Sequence, residues 1–214
     1  STLPASDYPR LDEKQGGIEL QLKQGDIKKL IERTSFAMAQ QDVRYYLNGM
    51  LWETRDNKLR TVATDGHRLA LCTLAHDIPV DETLQVILPR KGVIELSRLL
   101  MDEDGGVNLT IGSNHFRANT GAFQFTSKLV DGKFPEYERV LPRGITKVIF
   151  ADREELKQAL TRASILSNEK YRGIRLTLTD GNLKVLANNP EQEEAEEQIS
   201  VDYNGEGLEI GFNV

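Results

Sequence analysis

The segment Gln40-Gln41-Asp42-Val43-Arg44-Tyr45-Tyr46 sets amides, a guanidinium and adjacent phenols side by side. Amides and guanidinium groups donate to phosphate oxygens, and a phenol ring stacks on a sugar or an exposed base. Two readings stand for it: a nucleic-acid contact, or a polar loop from helix to strand that buries one tyrosine. A second segment, Thr64-Asp65-Gly66-His67-Arg68-Leu69, reads as a tight turn exposing His67 and Arg68 beside Leu69. A small apolar groove with a polar rim is the usual anatomy of a peptide pocket. Asp65 and His67 stand close enough for an acid–base pair, but their turn context favours a structural role. His76 and His115 lack ligand spacing to one another, and Cys72, in an apolar strand, reads as a core thiol. There is no nucleophile elbow, Walker loop, dinucleotide fingerprint or Cys-x-x-Cys pair. No carboxylate pair is singled out by its surroundings, so no enzyme of ordinary kind, no metal and no cofactor is expected.

Charge and composition narrow the class further. Hydrophobic residues at 39% and charged residues at 28% are those of a folded globular chain rather than a disordered one. One cysteine excludes a disulfide framework and fits a reducing compartment, so a cytoplasmic location is expected. No apolar run is long enough for a membrane helix, and Ser1-Thr2-Leu3-Pro4 does not open a signal peptide. The net charge of −6 is wrong for a conventional tight nucleic-acid binder. Its distribution is uneven, however. Glu191, Glu193, Glu194, Glu196 and Glu197 form an acidic run read as a solvated strand edge or loop, while Lys28, Lys29, Arg33, Lys157 and Arg162 fall on predicted helices. Arg90-Lys91 opens another.

The elements that must position these residues come round more than once. Ser1-Thr2-Leu3 with Tyr8-Pro9 returns 126 residues later as Ser127-Lys128-Leu129 with Phe134-Pro135. The helix from Ile27 to Arg33 returns at an offset of 129 from Leu156 to Arg162. Gly49, Asp56, Leu59 and Ala63 return at an offset of 124 as Gly173, Asp180, Leu183 and Ala187. Such self-similarity marks an array of equal units. It divides the chain into the end of one unit (1–11), a complete unit (12–142) and the first half of a third (143–214), so a fragment of a longer protein is expected. The complete unit reads as a strand over 17–23, a helix capped by Asp26 over 27–38, and a hairpin of strands over 45–54 and 59–64. A strand over 67–74 and another over 84–88 follow, then a helix over 92–101 and a meander over 107–111, 115–119 and 122–129. The later hairpin turns at Asp180-Gly181. Each unit should be α+β, with two helices and about eight strands in two antiparallel sheets, and is itself readable as two copies of a strand–helix–strands motif.

At these same residues the sequence resembles a known family. Ala39-Gln40-Gln41-Asp42-Val43-Arg44-Tyr45-Tyr46-Leu47-Asn48-Gly49 is similar to a signature of the bacterial sliding clamp, the β subunit of the replicative DNA polymerase. Four further segments resemble it: residues 63–70, 88–96, Ser167-Asn168-Glu169-Lys170, and Asn188-Asn189-Pro190-Glu191-Gln192-Glu193. The resemblance implies a DNA clamp fold of repeated domains, each with two helices packed on antiparallel sheets. It implies a processivity factor of the DNA polymerase III holoenzyme in DNA replication, a non-catalytic subunit that closes as a head-to-tail homodimer around duplex DNA. Polymerases and the clamp loader would dock through short peptides. It further implies that Gln41, Tyr45, Tyr46, Arg90 and Lys91 touch DNA. A partner-peptide pocket would be formed by Leu47, Thr64, Gly66, His67, Arg68, Leu69, Pro135, Arg139, Val140 and Asn213, where the second and third domains meet. The competing class, a catalytic nucleotidyltransferase or nuclease subunit, would need clustered carboxylates for paired metals.

Overall fold

A computed structural model describes residues 17–214 apart from 76, 81, 82, 102, 103 and 169. The repeat partner at 1–11, His76 and Glu169 therefore lie outside the described residues. The chain divides into two compact units, Ser1–Val140 and Leu141–Val214.

In the first unit β1 (Gly17–Lys23) runs directly into helix α1 (Gln24–Glu32), followed by β2 (Gly49–Arg55), β3 (Lys58–Thr64) and β4 (Leu69–Thr73). The pattern then repeats with β5 (Leu84–Pro89), helix α2 (Arg90–Leu99), β6 (Gly106–Gly112), β7 (His115–Asn119) and β8 (Gln124–Lys128). Each half lends its first strand to the other's sheet. β1 pairs with β6 and β5 pairs with β2, giving antiparallel sheets of order β1-β6-β7-β8 and β4-β3-β2-β5. The two halves are thus interlocked by exchange of a strand, and one core serves both. Ile27, Leu30 and Ile31 of α1, Val93 and Leu96 of α2, and residues of both sheets meet there, with Trp52 of β2 tilted against Phe116 of β7 at 4.9 Å. Cys72 is buried in that core.

The second unit reproduces one half. It holds α3 (Arg153–Ser164), β9 (Gly173–Thr179), β10 (Asn182–Asn188), β11 (Glu194–Ser200) and β12 (Leu208–Asn213), in a sheet of order β11-β10-β9-β12. The offset of 129 carries Gln24 onto Arg153, where α1 and α3 begin. The offset of 124 carries β2, β3 and β5 onto β9, β10 and β12 with both ends matching. Even the pairing repeats, since Gly49 faces Pro89 as Gly173 faces Asn213.

Several expectations need correction. Asp26 does not cap α1; it sits inside the first turn, because β1 passes straight into the helix and the cap position falls to Lys23. There its carboxylate still complements the helix dipole. The helix ends at Glu32 rather than 38, since Thr34 N reaches only three residues back to Ile31 O, the Thr34 backbone leaves the helical region (φ −129°) and Ser35–Ala37 curl into a 3-10 turn. Residues 45–47 form a 3-10 turn instead of a strand. The fourth strand starts at Leu69, not 67, because Thr64 closes a loop onto Arg68 O. α2 begins at Arg90, so the basic pair lies within the helix. The acidic run does fall on an exposed edge, strand β11 and the loop before it, as expected, and there it is also partly paired: Glu197 accepts two bonds from Arg162, and Glu196 faces Lys184. Arg162 is thereby committed within the unit rather than left free for an outside anion.

Candidate nucleic-acid edge and peptide groove

The segment 41–46 is built by its own side chains. Asp42 N donates to Asn48 Oδ1 at 2.9 Å, and Asn48 Nδ2 returns a bond to Asp42 O at 2.8 Å. The Asp42 carboxylate accepts the Arg44 backbone N at 2.8 Å, Nε at 3.0 Å and Nη2 at 2.8 Å. This bidentate pairing with Arg44, reinforced by the backbone bond, pulls the Asp42 carboxyl down to about 2. Gln41 adopts a left-handed backbone (φ 59°), and residues 45–47 curl, which is why no strand forms there. The same Asn48 accepts Arg90 N on its carbonyl at 2.9 Å. One asparagine thus joins the segment carrying Gln41 and Tyr45 to the helix start carrying Arg90 and Lys91.

That helix start is electrostatically inverted. α3 places Glu154 and Glu155 in its first turn behind an Asp152 cap that bonds Glu155 N at 2.8 Å, and α1 places Asp26 there. α2 has no acid in its first turn and opens on Arg90 and Lys91 after Pro89. Cations at the positive end of a helix dipole oppose folding, whereas a helix N-terminus plus cations suits an anion. The two tyrosines differ. Tyr45 is 56% exposed, while Tyr46 packs edge-on to it at 5.8 Å and is half-buried against a cluster containing Leu69. Tyr45 is thus the ring open to solvent, and Tyr46 is chiefly support.

The turn over 64–69 lies beside this edge. Asp65 Oδ1 accepts His67 N and Arg68 N, each at 3.0 Å, and Arg68 Nε bonds Asp65 Oδ2 at 3.1 Å. Burial raises the Asp65 carboxyl, but these bonds outweigh it and hold it below its usual range. The pair Asp65–His67 is therefore a backbone turn, not an acid–base couple. Gly66 is left-handed (φ +88°), and a Cβ there would stand 3.0 Å from the Arg44 guanidinium. Arg44 Nη2 also reaches Asp65 O at 3.5 Å. Arg44 thus braces the segment 41–46 against the turn. Arg68 extends over the exposed Phe36 ring at 5.8 Å.

An apolar floor underlies the turn. Leu51, Val62 and Ile87 on the outward face of β4-β3-β2-β5 are covered by Phe134 and Tyr137, with Tyr46, Leu69 and Val130 packed alongside. Of the expected groove residues, Gly66, His67, Arg68, Pro135, Arg139 and Val140 are exposed, and Leu69 and Thr64 are partly so. Leu47 is 2% exposed, so it presents no surface here. Asn213 ends β12 in the second unit, where its amide donates to Tyr171 O at 2.6 Å. Concavities beside α3 (about 470 Å³) and on the outward face of β1-β6-β7-β8 (about 500 Å³) contain none of the expected site residues. Among the described residues, no three His, Cys, Asp or Glu side chains converge as a metal site, and no helix is long and apolar enough to cross a membrane.

Sequence reasoning missed Asn48 and Arg44 as organisers, and Glu53 and Tyr137 beneath the groove. A signal for the first pair was present. The offset falls from 129 to 124 between helix and strand, so the first unit carries five extra residues (129 − 124) in the stretch that holds 41–46. A lone Glu53 within the apolar strand Met50-Leu51-Trp52 signals a buried charge that needs partners.

An interlocked two-sheet unit followed by a half-copy of itself, with an inverted helix start and a polar turn over an apolar floor on one unit, is the α+β architecture of a DNA clamp. The chain belongs to the DNA polymerase III beta subunit family. The family's central domain matches residues 21–136, and its C-terminal domain matches residues 138–214. The chain is 62% identical over its whole length to the beta sliding clamp of Pseudomonas aeruginosa, of which it spans 58%. It is 58% identical to that of Escherichia coli K12, again spanning 58%. A crystal structure of the DNA polymerase III subunit beta from Pseudomonas aeruginosa matches it at 62% identity and a TM-score of 0.96, covering all of this chain and 58% of that one. A sliding clamp from Bartonella birtlesii bound to griselimycin matches at 41% identity and a TM-score of 0.90, with 99% and 58% covered.

Proposed function

We propose that this chain is part of a sliding clamp, a non-catalytic processivity factor that tethers a replicative DNA polymerase to its template. In this reading the protein closes as a head-to-tail homodimer around duplex DNA in the cytoplasm, and polymerases and the clamp loader dock by short peptides on the groove over 64–69 and 135–140. Residues 12–142 serve as its central domain, 143–214 as the first half of the next domain, and 1–11 as the end of the preceding one. The observation that carries the reading is the inverted start of α2, with Arg90 and Lys91 tied through Asn48 to the segment bearing Gln41 and Tyr45. A ring that holds DNA by closure needs weak, mobile phosphate contacts more than a strong basic surface, which accommodates a net charge of −6.

The test uses the full-length clamp carrying these residues, loaded on nicked circular duplex. It should stay on the circle through a high-salt wash and run off once the circle is cut. Equal retention on circular and linear DNA would exclude a topological hold. Incubation with primed template, nucleotides and Mg²⁺ should give no primer extension or degradation, and either product would favour the catalytic reading.

A further inference from the structure

The outward face of β4-β3-β2-β5 holds a carboxylate with no access to water. Glu53 is 1% exposed and lies directly opposite Arg60 on β3 and Gln85 on β5. A buried charge persists only when it is paired and hydrogen-bonded. Gln85 Nε2 donates to Glu53 Oε1 at 2.6 Å, the Tyr137 hydroxyl donates to Oε2 at 2.6 Å, and Arg60 Nη1 stands 3.6 Å from Oε2. Burial, and then the adjoining carboxylate, hold the Tyr137 phenol above its usual range, so it remains a donor at neutral pH.

Tyr137 arrives on a 3-10 turn, Tyr137–Arg139, far along the chain from Glu53. Phe134 and Tyr137 are the buried side chains of this stretch, and Glu138 adds an ion pair with Arg55 at 2.9 Å. The residues that follow have little hold of their own. Val140 is 69% exposed, and its backbone N leans on Tyr137 O at 3.1 Å. The Arg139 side chain is 81% exposed and pairs only locally, with Glu136. The height of this exposed wall beside Leu69 is thus set from below, at the Tyr137 hydroxyl. We propose that Glu53 and Tyr137 are positioning residues for partner-peptide capture, fixing the wall of residues 135–140 against the Leu69 side of the groove without touching the peptide. This rests on the groove reading above.

The experiment measures binding of a fluorescein-labelled peptide, with a glutamine and a leucine–phenylalanine end, to the full-length clamp by anisotropy. Tyr137→Phe removes one oxygen and keeps the ring that covers Leu51. It should weaken the peptide about 3- to 10-fold, the worth of one hydrogen bond. In the free protein it should also shift the Val140 methyl signals in a methyl NMR spectrum while leaving the Tyr45 ring signals in place. Glu53→Gln keeps an acceptor for the phenol and should fall between wild type and Tyr137→Phe. Leu69→Ala serves as the control. If Leu69→Ala weakens binding and Tyr137→Phe does not, even with a lowered melting temperature, the positioning role is wrong and the groove stands. If neither weakens binding, the groove reading falls as well.

Discussion

Replacing Arg90 and Lys91 together by alanine should make the protein more stable and less able to hold DNA. Both residues lie in the first turn of α2, behind a Pro89 cap with no side-chain bond and without an acid to offset them. A charge of the wrong sign in a helix's first turn costs about 0.3–1 kcal/mol at the surface. Removing two should therefore stabilise the unit by roughly 0.6–2 kcal/mol, or a few degrees in melting temperature for a domain of this size. The DNA side of the balance follows from counterion release, at about 0.9 in the salt slope per phosphate contact. Two lost contacts flatten the slope by about 1.8, so a fourfold rise in salt should penalise wild type about 12-fold more than the variant. The assay pairs urea denaturation with anisotropy of labelled duplex between about 50 and 200 mM salt, the range over which such slopes are read. A variant that is destabilised, or that keeps the wild-type slope, would refute the reasoning, because Arg90 and Lys91 would then be structural.

Two further outcomes test the brace between the loop and the turn. Gly66→Ala places a Cβ 3.0 Å from the Arg44 guanidinium on a backbone at φ +88°; it should cost about 1–2 kcal/mol in denaturation, the scale of strain at such a φ, and loosen the Arg44–Asp42 pair as seen by NMR. The Asp42 carboxyl, held at about 2 against an ordinary 3.8, contributes to stability above its ordinary value. That contribution is lost as pH falls through about 2, so the segment 41–46 should open in that acid window. Arg44→Ala should return the Asp42 midpoint, read by carboxyl NMR, toward 3.8, and an unmoved midpoint would remove Arg44 as the cause.

What the sequence determined by itself was whatever depends on neighbours along the chain. The offset of 124 tied the later hairpin of β9 and β10 to that of β2 and β3, because equal turns and equal strand lengths demand equal spacing, and only the structure extended the same offset from β5 to β12. The hairpin across Asp56 and Asn57 was legible for the same reason, both residues being left-handed as a tight two-residue turn requires. The exposed turn at Asp65 and Gly66 and the basic opening of α2 were also local facts. Tertiary structure alone decided the rest. Periodicity says that β1 and β5 are strands but not that each crosses into the other half's sheet, since strand partners are chosen by non-local packing. Capping chemistry nominated Asp26, yet the direct run from β1 into α1 moved the cap to Lys23. The apparent strand at 45–47 became a turn because Asn48, Asp42 and Arg44 satisfy one another there. Glu53 and Tyr137 become one unit only when the chain folds back across the sheet. A charge can remain buried there because its partners come from separate strands and a distant turn, and no local pattern records that meeting.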